Sequence, residues 1–300
     1  MKMEPFVLEQ EQMLKSGGPE NAAAPEPLLI YVKPWREQYD GLSAGFTTRQ
    51  GGNGSAPYGS LNCAYHVGDD PVTVLNNRKR IASKLGFSES AWTCGEQVHG
   101  KRVAVVRAED RGRGWMDRES AFQDTDGLVT DVPGVLLTSF YADCVPLYFY
   151  DPVRGAVGLA HAGWKGTVAG IAESVIEKME QEYGSQRHHI RTAIGPSIGD
   201  CCYEVDEAVM KHVRVWLDGA EGNEGYGANG NLIFHSAGNG KTMLNLKECN
   251  RHIMMKAGIL PDHIECTTWC TSCNPDIFFS YRKENGTTGR MASWIGLEER

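Results

Sequence analysis

Residues 142–166 read ADCVPLYFYDPVRGAVGLAHAGWKG and predict one β-hairpin. Its two strands are expected over 147–150 and 156–160, which are rich in apolar, aromatic and β-branched side chains. The sequence between them, DPVRG at 151–155, is typical of a tight turn, because proline fixes φ while aspartate and glycine suit the flanks. Cys144 and His161 therefore lie at the two outer ends of the predicted hairpin.

The pairing register decides whether these two side chains meet. If Asp151 pairs with Arg154 across a two-residue turn, Cys144 lies opposite His161 on the same face. Directly opposite residues have Cβ atoms roughly 5 Å apart, so a thiolate and an imidazole could converge on one ion or one substrate atom. A slip of one residue would place them on opposite faces.

The rest of the chain mixes strand and helix patterns without strict alternation. Strands are predicted over 29–32, 44–48, 102–106, 127–130, 135–141, 190–194, 277–281 and 291–295. Helices are predicted over 72–85, 167–183 and 246–257, and a polar, glycine-rich loop over 218–231. This pattern favours an α+β fold with mixed β-sheets flanked by helices over a doubly wound fold.

The chain of 300 residues has a low-complexity stretch, SGGPENAAAPEP at 16–27, without apolar periodicity. We therefore expect residues 1–27 to form a flexible N-terminal segment and residues 28–300 to form a single domain. The net charge of −8 argues against nucleic acid or an anionic membrane as a partner and favours a small-molecule substrate. No apolar run is long enough to span a membrane.

Cysteine is abundant in this sequence, with nine residues and no signal-peptide pattern at the N-terminus. The odd number predicts reduced thiols in the cytoplasm, some buried and inert and a few acting as ligands. Cys266, Cys270 and Cys273 have the C-x3-C-x2-C spacing that some radical enzymes use for an iron–sulfur cluster. Their position near the C-terminus argues against such a cluster, and the sequence does not assign them a role.

Cys144, His161 and His99 form the candidate chemical centre. His99 lies in the polar sequence EQVHG at 96–100, and His161 precedes AGWKG, which leads into a helix N-terminus where backbone amides point at anions. Two histidines and one cysteine fit a catalytic zinc site, with three protein ligands and a fourth position for water or substrate. Asp143 is either a proton acceptor or ligand-orienting partner, or the cap of a turn.

Two other interpretations of this centre are open at the sequence level. Cys144 and His161 could instead be a small buried side chain and a hydrogen-bonded core histidine. Alternatively, the Cys144 thiolate would be the nucleophile of a metal-independent Cys/His hydrolase acting on a small substrate.

Four further residues are candidates for substrate binding. Arg49 and Arg290 each lie beside glycine or threonine, and their guanidinium groups suit phosphate or ribose, although surface ion pairs are the alternative. His66 and Gln97 are candidates for binding the substrate, with a structural role as the alternative.

At these residues the sequence resembles a bacterial family of laccase-domain proteins, described first as polyphenol oxidases and later as purine nucleoside phosphorylases. The resemblance spans most of the chain. Its motifs are GFTTRQGG at 45–52, SLN at 60–62, HVGDD at 66–70, EQVHG at 96–100, DGLVT at 126–130, ADCVP at 142–146, HAGW at 161–164, IGP at 194–196, YEV at 203–205, FFSYR at 278–282 and TTGR at 287–290.

The resemblance implies a zinc ion bound by His99, Cys144 and His161. It also implies phosphorolysis of the purine nucleosides adenosine, inosine and S-methyl-5'-thioadenosine, with adenosine deaminase activity and a weak copper-dependent polyphenol oxidase activity. The fold of the family is similar to the Cys/His domain of a bacterial toxin deamidase, a likeness that says little about function.

Overall fold

Strands in the described part of the chain form three sheets. The computed structural model describes residues 3–9, 25–217 and 222–299, and its strands are numbered here in chain order. Sheet A has the order β1 (Phe6–Leu8), β2 (Leu29–Val32), β3 (Leu42–Thr47), β16 (Met291–Leu297), β7 (Leu136–Tyr141) and β4 (Trp92–Cys94). Sheet B has the order β15 (Ile264–Cys266), β10 (Arg191–Ile194), β8 (Val145–Asp151), β9 (Ala156–Ala162), β6 (Gly127–Thr130) and β5 (Val103–Val105). Sheet C is small and antiparallel, with the order β11 (Glu204–Val205), β14 (Lys241–Leu244), β13 (Leu232–Gly238) and β12 (Glu224–Tyr226).

Helices flank these sheets. They are α1 (Lys33–Gln38), α2 (Pro71–Leu85), α3 (Trp164–Ala169), α4 (Ile171–Tyr183), α5 (Glu207–Trp216) and α6 (Leu246–Lys256). Sheets A and B are mixed: β4 pairs with β7, β5 with β6 and β10 with β15 in parallel, while the other pairs are antiparallel. The predicted α+β class is thus confirmed. None of the helices in these ranges is long and apolar enough to cross a membrane.

Alternation along the strands builds the core between sheets A and B. In β7, Leu137 and Tyr141 face this inter-sheet core, where they join Leu159 of β9. Leu136 and Phe140 point to the opposite side of sheet A, where a second core includes residues of α2. The outer face of sheet B packs against α4 and α6. Because successive strand residues face opposite sides, β7 contributes to two cores at once.

The predicted hairpin forms as β8 and β9, but its register differs from the prediction. Asp151 pairs with Ala156, and Pro146 pairs with His161. The turn is longer because the Asp151 carboxylate accepts hydrogen bonds from the N–H groups of Val153 and Arg154, at 2.9 and 3.2 Å, inside a four-residue loop. The predicted register is wrong by two residues. Because side chains in a strand alternate with period two, Cys144 and His161 still belong to the same face of the hairpin.

Several predicted boundaries are wrong for local reasons. The single helix predicted over 167–183 is divided into α3 and α4 by Gly170, whose φ of 83° breaks the helical backbone. The strand predicted over 277–281 is absent, because Ile277 and Phe278 donate their N–H groups to the Asn274 carbonyl and so form turns. Within the loop predicted over 218–231, residues 224–226 form β12, and residues 218–221 lie outside the described ranges.

The predicted flexible N-terminal segment is wrong for residues 6–8. These residues form β1, which pairs antiparallel with β2, and Phe6 is fully buried against Tyr148. Burial of an aromatic side chain, together with strand pairing, offsets the entropy lost when this segment is ordered. Residues 10–24 lie outside the described part of the chain, and the single domain over 28–300 stays a prediction.

Leu159→Ala tests the inter-sheet core. Leu159 is fully buried between sheets A and B, so truncation removes apolar contacts and leaves a cavity. We expect the free energy of unfolding to fall by about 2–5 kcal/mol, measured by urea denaturation. Leu260→Ala makes the same change at a side chain that is 40% exposed and should cost under about 1 kcal/mol. Equal losses from the two variants would contradict this assignment of the core.

Candidate active site

Two chain crossovers between the sheets bring the candidate residues together. The chain passes from sheet A to sheet B after β4, over residues 95–102, and again after β7, over residues 142–144. Because β4 and β7 are parallel neighbours, both crossovers leave sheet A at the same edge. The first crossover carries His99, the second carries Cys144, and His161 lies near the end of β9, which is paired with the start of β8.

The three side chains converge as the sequence suggested. His99 Nε2 lies 3.8 Å from Cys144 Sγ, and the ligand atoms of His99, Cys144 and His161 all lie within 4.8 Å of one another. A tetrahedral ion with Zn–S and Zn–N bonds of about 2.3 and 2.0 Å would hold a sulfur and a nitrogen roughly 3.5 Å apart. The donor set and the spacing therefore fit one zinc ion.

Asp126 fixes the orientation of two members of this triad. Its buried carboxylate lies 2.8 Å from His161 Nδ1 and accepts hydrogen bonds from the N–H groups of Val98, His99 and Gly100, at 3.1, 3.0 and 2.7 Å. An Nδ1–H bond to Asp126 leaves His161 Nε2 as the free metal-binding nitrogen, the arrangement common in zinc sites. Asp126 therefore holds both the ring of His161 and the backbone of His99.

The two crossovers use unusual backbone conformations at the site. His99 has φ of 62° and Asp143 has φ of 88°, both in the left-handed region that side chains rarely adopt. Such conformations persist where the surrounding contacts over-determine them, and they cluster at functional sites. The three N–H bonds to Asp126 supply these contacts at His99.

Gly163 gives the triad the space that it needs. A Cβ atom at this position would lie 2.7 Å from His99 Cδ2 and 3.1 Å from Cys144 Sγ. Any side chain here would therefore displace His99 or Cys144 from its position in the triad. The glycine of the HAGW motif is explained by this close approach.

The charges of Cys144 and His161 are coupled. Burial raises the pKa of the Cys144 thiol, but the positive charge of His161 and hydrogen bonds from both histidines outweigh burial and lower this pKa to about 6. Burial lowers the pKa of His161, but the Cys144 thiolate and the bond to Asp126 outweigh burial and raise it to about 9. In the absence of a metal, the pair therefore carries a thiolate and an imidazolium at neutral pH.

A cavity of about 590 Å³ opens at the triad. Four of the predicted residues line it together with the triad ligands: His66, Gln97, Asp143 and Arg290. Aromatic side chains of Tyr203 and Tyr281 also line the wall. A volume of this size suits a small organic ligand rather than a polymer.

Arg49 does not line this cavity, although the sequence made it a candidate. Its guanidinium donates to the carbonyls of Gly59 and Pro275 and forms an ion pair with Glu284, with Nη2 and Oε1 3.0 Å apart. It also lies over the Phe279 ring, 4.5 Å from the centroid. These contacts indicate a structural role, because they join the end of sheet A to the chain before β16.

Gln97 and Asp143 line the cavity but are already engaged by the backbone. The Gln97 amide donates to the Phe140 carbonyl and accepts from the Phe140 N–H, both at 2.8 Å. The Asp143 carboxylate accepts from Thr271 Oγ1 and from the Arg282 N–H, both at 2.7 Å. Both side chains therefore brace the crossovers that carry the triad.

The cavity wall at His66 and Arg290 is positively charged, because the guanidinium groups of Arg290, Arg118 and Arg78 surround a neutral His66. Burial, followed by the charges of Arg290, Arg118 and Arg78, lowers the pKa of His66 to about 4. Burial is also the largest effect on Arg290 and lowers the pKa of its guanidinium. Because several cations repel a further proton at His66, this wall has a positive potential that an anion would relieve.

Asp126 was not among the site residues predicted from the sequence. The available signal was an aspartate directly before the buried strand β6, in the motif DGLVT. A buried carboxylate needs partners, and a neighbouring histidine at the end of a paired strand is a suitable one. Sequence alone did not show that β6 and β9 are antiparallel neighbours, which is what joins Asp126 to His161.

Asp126→Asn tests this organisation. The amide keeps the shape of the carboxylate but loses its charge, and its NH2 group faces backbone N–H groups that are themselves donors. The His161 ring and the loop of His99 are then no longer held in their orientations. We expect zinc affinity at the triad to fall about 10–100-fold, measured by competition with a chromogenic chelator. Asp124→Asn is the matched control at an exposed position and should keep its affinity. An unchanged affinity in Asp126→Asn would refute the role of this carboxylate.

Comparisons with known proteins agree with this architecture. The family described as "Multi-copper polyphenol oxidoreductase laccase" matches residues 43–298. A relative named purine nucleoside phosphorylase YlmD, from Geobacillus stearothermophilus, is 43% identical over 261 residues, which is 87% of this chain and 92% of that protein. A relative named adenosine deaminase RL5, from an unknown prokaryotic organism, is 32% identical over 256 residues, or 85% and 94% of the two chains.

Solved structures show the same fold. The structure of YlmD from Geobacillus stearothermophilus is 39% identical in sequence and has a TM-score of 0.85. The match covers 98% of this chain and 100% of the YlmD chain. The Bacillus licheniformis hypothetical protein YfiH is 40% identical, with coverages of 92% and 97% and a TM-score of 0.82. The resemblance found in the sequence is confirmed, and the chain belongs to the laccase-like family described as multi-copper polyphenol oxidoreductase laccase.

Proposed function

We propose that this protein is a zinc-dependent purine nucleoside phosphorylase that cleaves adenosine, inosine and S-methyl-5'-thioadenosine with phosphate. The observation that carries the proposal is one cavity with two chemically different walls: the His99, Cys144 and His161 triad, and the cationic wall of His66 and Arg290. Relatives named purine nucleoside phosphorylase support the reaction class.

Phosphate would bind at the cationic wall. Arg290 is held in place by hydrogen bonds from Nη1 to the Thr288 and Gly289 carbonyls, at 2.8 and 3.1 Å, and its backbone N–H donates to Asn62 Oδ1 at 2.9 Å. A guanidinium fixed in this way loses little freedom when it binds a phosphate oxygen. His66 is neutral at pH 7 because of its lowered pKa, so it can donate one hydrogen bond without adding a charge.

The reaction forms one bond and breaks another at the same carbon. A phosphate oxygen bonds to C1′ of the ribose, and the C1′–N9 bond breaks with its electron pair leaving on the purine, which is then protonated. Holding the two reactants in one cavity makes the attack effectively unimolecular. Tyr281, 54% exposed at the cavity, and Tyr203 offer aromatic faces for the purine.

The triad residues fit zinc, which when bound would act as a Lewis acid and could lower the pKa of a coordinated water to about 7. Asp126 holds His161 with Nε2 free, and the three N–H bonds to Asp126 hold the His99 loop. Asp143, which the sequence made a catalytic candidate, supports the same site by fixing the crossover that ends at Cys144.

Two side activities follow from the same donor set. Deamination of adenosine would use an activated water in place of phosphate, and the relative named adenosine deaminase supports it. A soft thiolate and two imidazoles also accept copper, which would give the weak polyphenol oxidase activity that the family description suggests.

A metal-independent Cys/His hydrolase is the second candidate. The lowered pKa of Cys144 and the raised pKa of His161 favour it, because they describe a thiolate beside an imidazolium, the activated state of a thiol nucleophile. Metal removal separates the two functions: a chelator would abolish zinc-dependent phosphorolysis and leave a thiol hydrolase active.

The first assay follows adenosine by liquid chromatography with and without phosphate. We expect adenine and ribose 1-phosphate only when phosphate is present, and inosine in either sample if deamination also occurs. Cys144→Ala should lose turnover by at least about 100-fold together with the zinc bound at the triad, because the triad then has two ligands. Full activity in Cys144→Ala, or adenine formation without phosphate, would refute the proposal.

Arg290→Gln tests the phosphate site. Loss of the guanidinium should raise KM for phosphate about tenfold or more, because a charge-assisted hydrogen bond contributes about 1.5–3 kcal/mol, and should change KM for adenosine less. Arg113→Gln is the control, since Arg113 pairs with Asp110 outside the cavity. Equal phosphate KM values in Arg290→Gln and the parent protein would move the phosphate site elsewhere.

A further inference from the structure

Four other cysteines converge at a second position in the structure. Cys201 and Cys202 follow β10, and Cys270 and Cys273 follow β15. Their sulfur atoms all lie within 4.8 Å of one another, with Cys273 Sγ 3.5 Å from Cys201 Sγ and 3.4 Å from Cys202 Sγ. All four are free thiols, and none of them lines the cavity at the triad.

The fold explains why cysteines so far apart in sequence meet here. β10 and β15 are parallel neighbours, so the segments after them leave sheet B at the same edge. These segments then pair: Ser197 and Cys270 form a parallel bridge, and the Thr271 N–H donates to the Ser197 carbonyl at 3.0 Å. The Gly199 N–H donates to Cys270 Sγ at 3.2 Å, a contact that stabilises a thiolate.

The spacing fits one metal ion better than a disulfide or an iron–sulfur cluster. A disulfide needs sulfur atoms about 2.0 Å apart, much closer than the 3.4 and 3.5 Å seen here. A tetrahedral ion with Zn–S bonds of about 2.3 Å holds its sulfur atoms about 3.8 Å apart. This value lies between the two short sulfur–sulfur distances and the 4.8 Å within which all four sulfur atoms lie. A four-iron cluster occupies the space between its thiolate ligands and would hold their sulfur atoms further apart than this.

We propose that Cys201, Cys202, Cys270 and Cys273 bind one zinc ion in a tetrahedral site of four thiolates. Four protein ligands leave no open coordination position, so this site is structural rather than catalytic. Cys266, which completes the C-x3-C-x2-C spacing in the sequence, is not a member, and its Sγ contacts the Thr267 carbonyl instead.

The four-cysteine site braces the crossover that carries Cys144. Thr271, between Cys270 and Cys273, donates its hydroxyl to the Asp143 carboxylate, and the Ile198 N–H donates to the Asp143 carbonyl at 3.0 Å. A metal ion at the four cysteines would therefore cross-link the two segments that hold Asp143 in its left-handed conformation. Cys201 and Cys273 are exposed, so the ion could load after the chain has folded.

The test is the metal content of variants purified under reducing conditions with zinc, measured by inductively coupled plasma mass spectrometry. Cys273→Ser should bind about one zinc per chain fewer than the parent protein. The same loss is expected in a Cys144→Ala background, where the triad is already impaired, so the result does not depend on the proposed function. Cys266→Ser is the matched control at a neighbouring thiol outside the site and should keep its zinc.

Cobalt titration gives a second, spectroscopic readout, which starts from the wild-type chain. Cobalt(II) bound by four thiolates gives visible d–d bands and a thiolate charge-transfer band in the near ultraviolet, stronger than a site with one sulfur and two nitrogens gives. We expect the four-thiolate spectrum, its loss in Cys201→Ser, and its retention in Cys266→Ser. Three results would each overturn the proposal. They are an unchanged zinc content in Cys273→Ser, the absence of a four-thiolate spectrum, and an intact mass that shows disulfides among these cysteines.

Discussion

The Asp126 carboxylate is the constraint on which the candidate site depends. Its two carboxylate oxygens contact His161 Nδ1 and three consecutive backbone N–H groups of the His99 loop. A single buried group therefore links the end of β9 to the first crossover. Burial alone would raise the pKa of Asp126, but the bond to His161, its charge and the amide donors outweigh burial and lower this pKa. The carboxylate therefore stays ionised, and a neutral group could not hold both partners in the same way.

The two-sheet architecture explains why the candidate ligands lie where they do. A chain that crosses between packed sheets must turn sharply within a few residues, and here the second crossover has only residues 142–144. The sharp turn places Asp143 in the left-handed region and points Cys144 towards His99. Thr271 and Arg282 then hold the Asp143 carboxylate, so a residue of unfavourable conformation is fixed by hydrogen bonds from the C-terminal part of the chain.

Local patterns in the sequence predicted the hairpin, most of the central strands and the triad, because alternation, turn residues and ligand chemistry are local properties. The hairpin register was wrong because the Asp151 side chain caps its own turn and lengthens the loop. Arg49 was chosen for its residue type, but its partner Glu284 is distant in sequence and becomes visible only in the folded chain. The role of Asp126 was missed for the same reason, since it depends on the pairing of β6 with β9.

Two descriptions of the family, as laccases and as phosphorylases, can be reconciled at one set of donors. In the described ranges, two groups of side chains have the spacing of a metal site: the four cysteines, and the triad, whose three donors all line the cavity of about 590 Å³. Zinc has no redox chemistry and would support group transfer there, whereas copper at the same thiolate and imidazoles would support one-electron oxidation. Under the proposed function, the metal at the triad would decide which of these reactions occurs. The cationic wall of His66 and Arg290 would then give the phosphate-dependent reaction a partner site that phenol oxidation does not need.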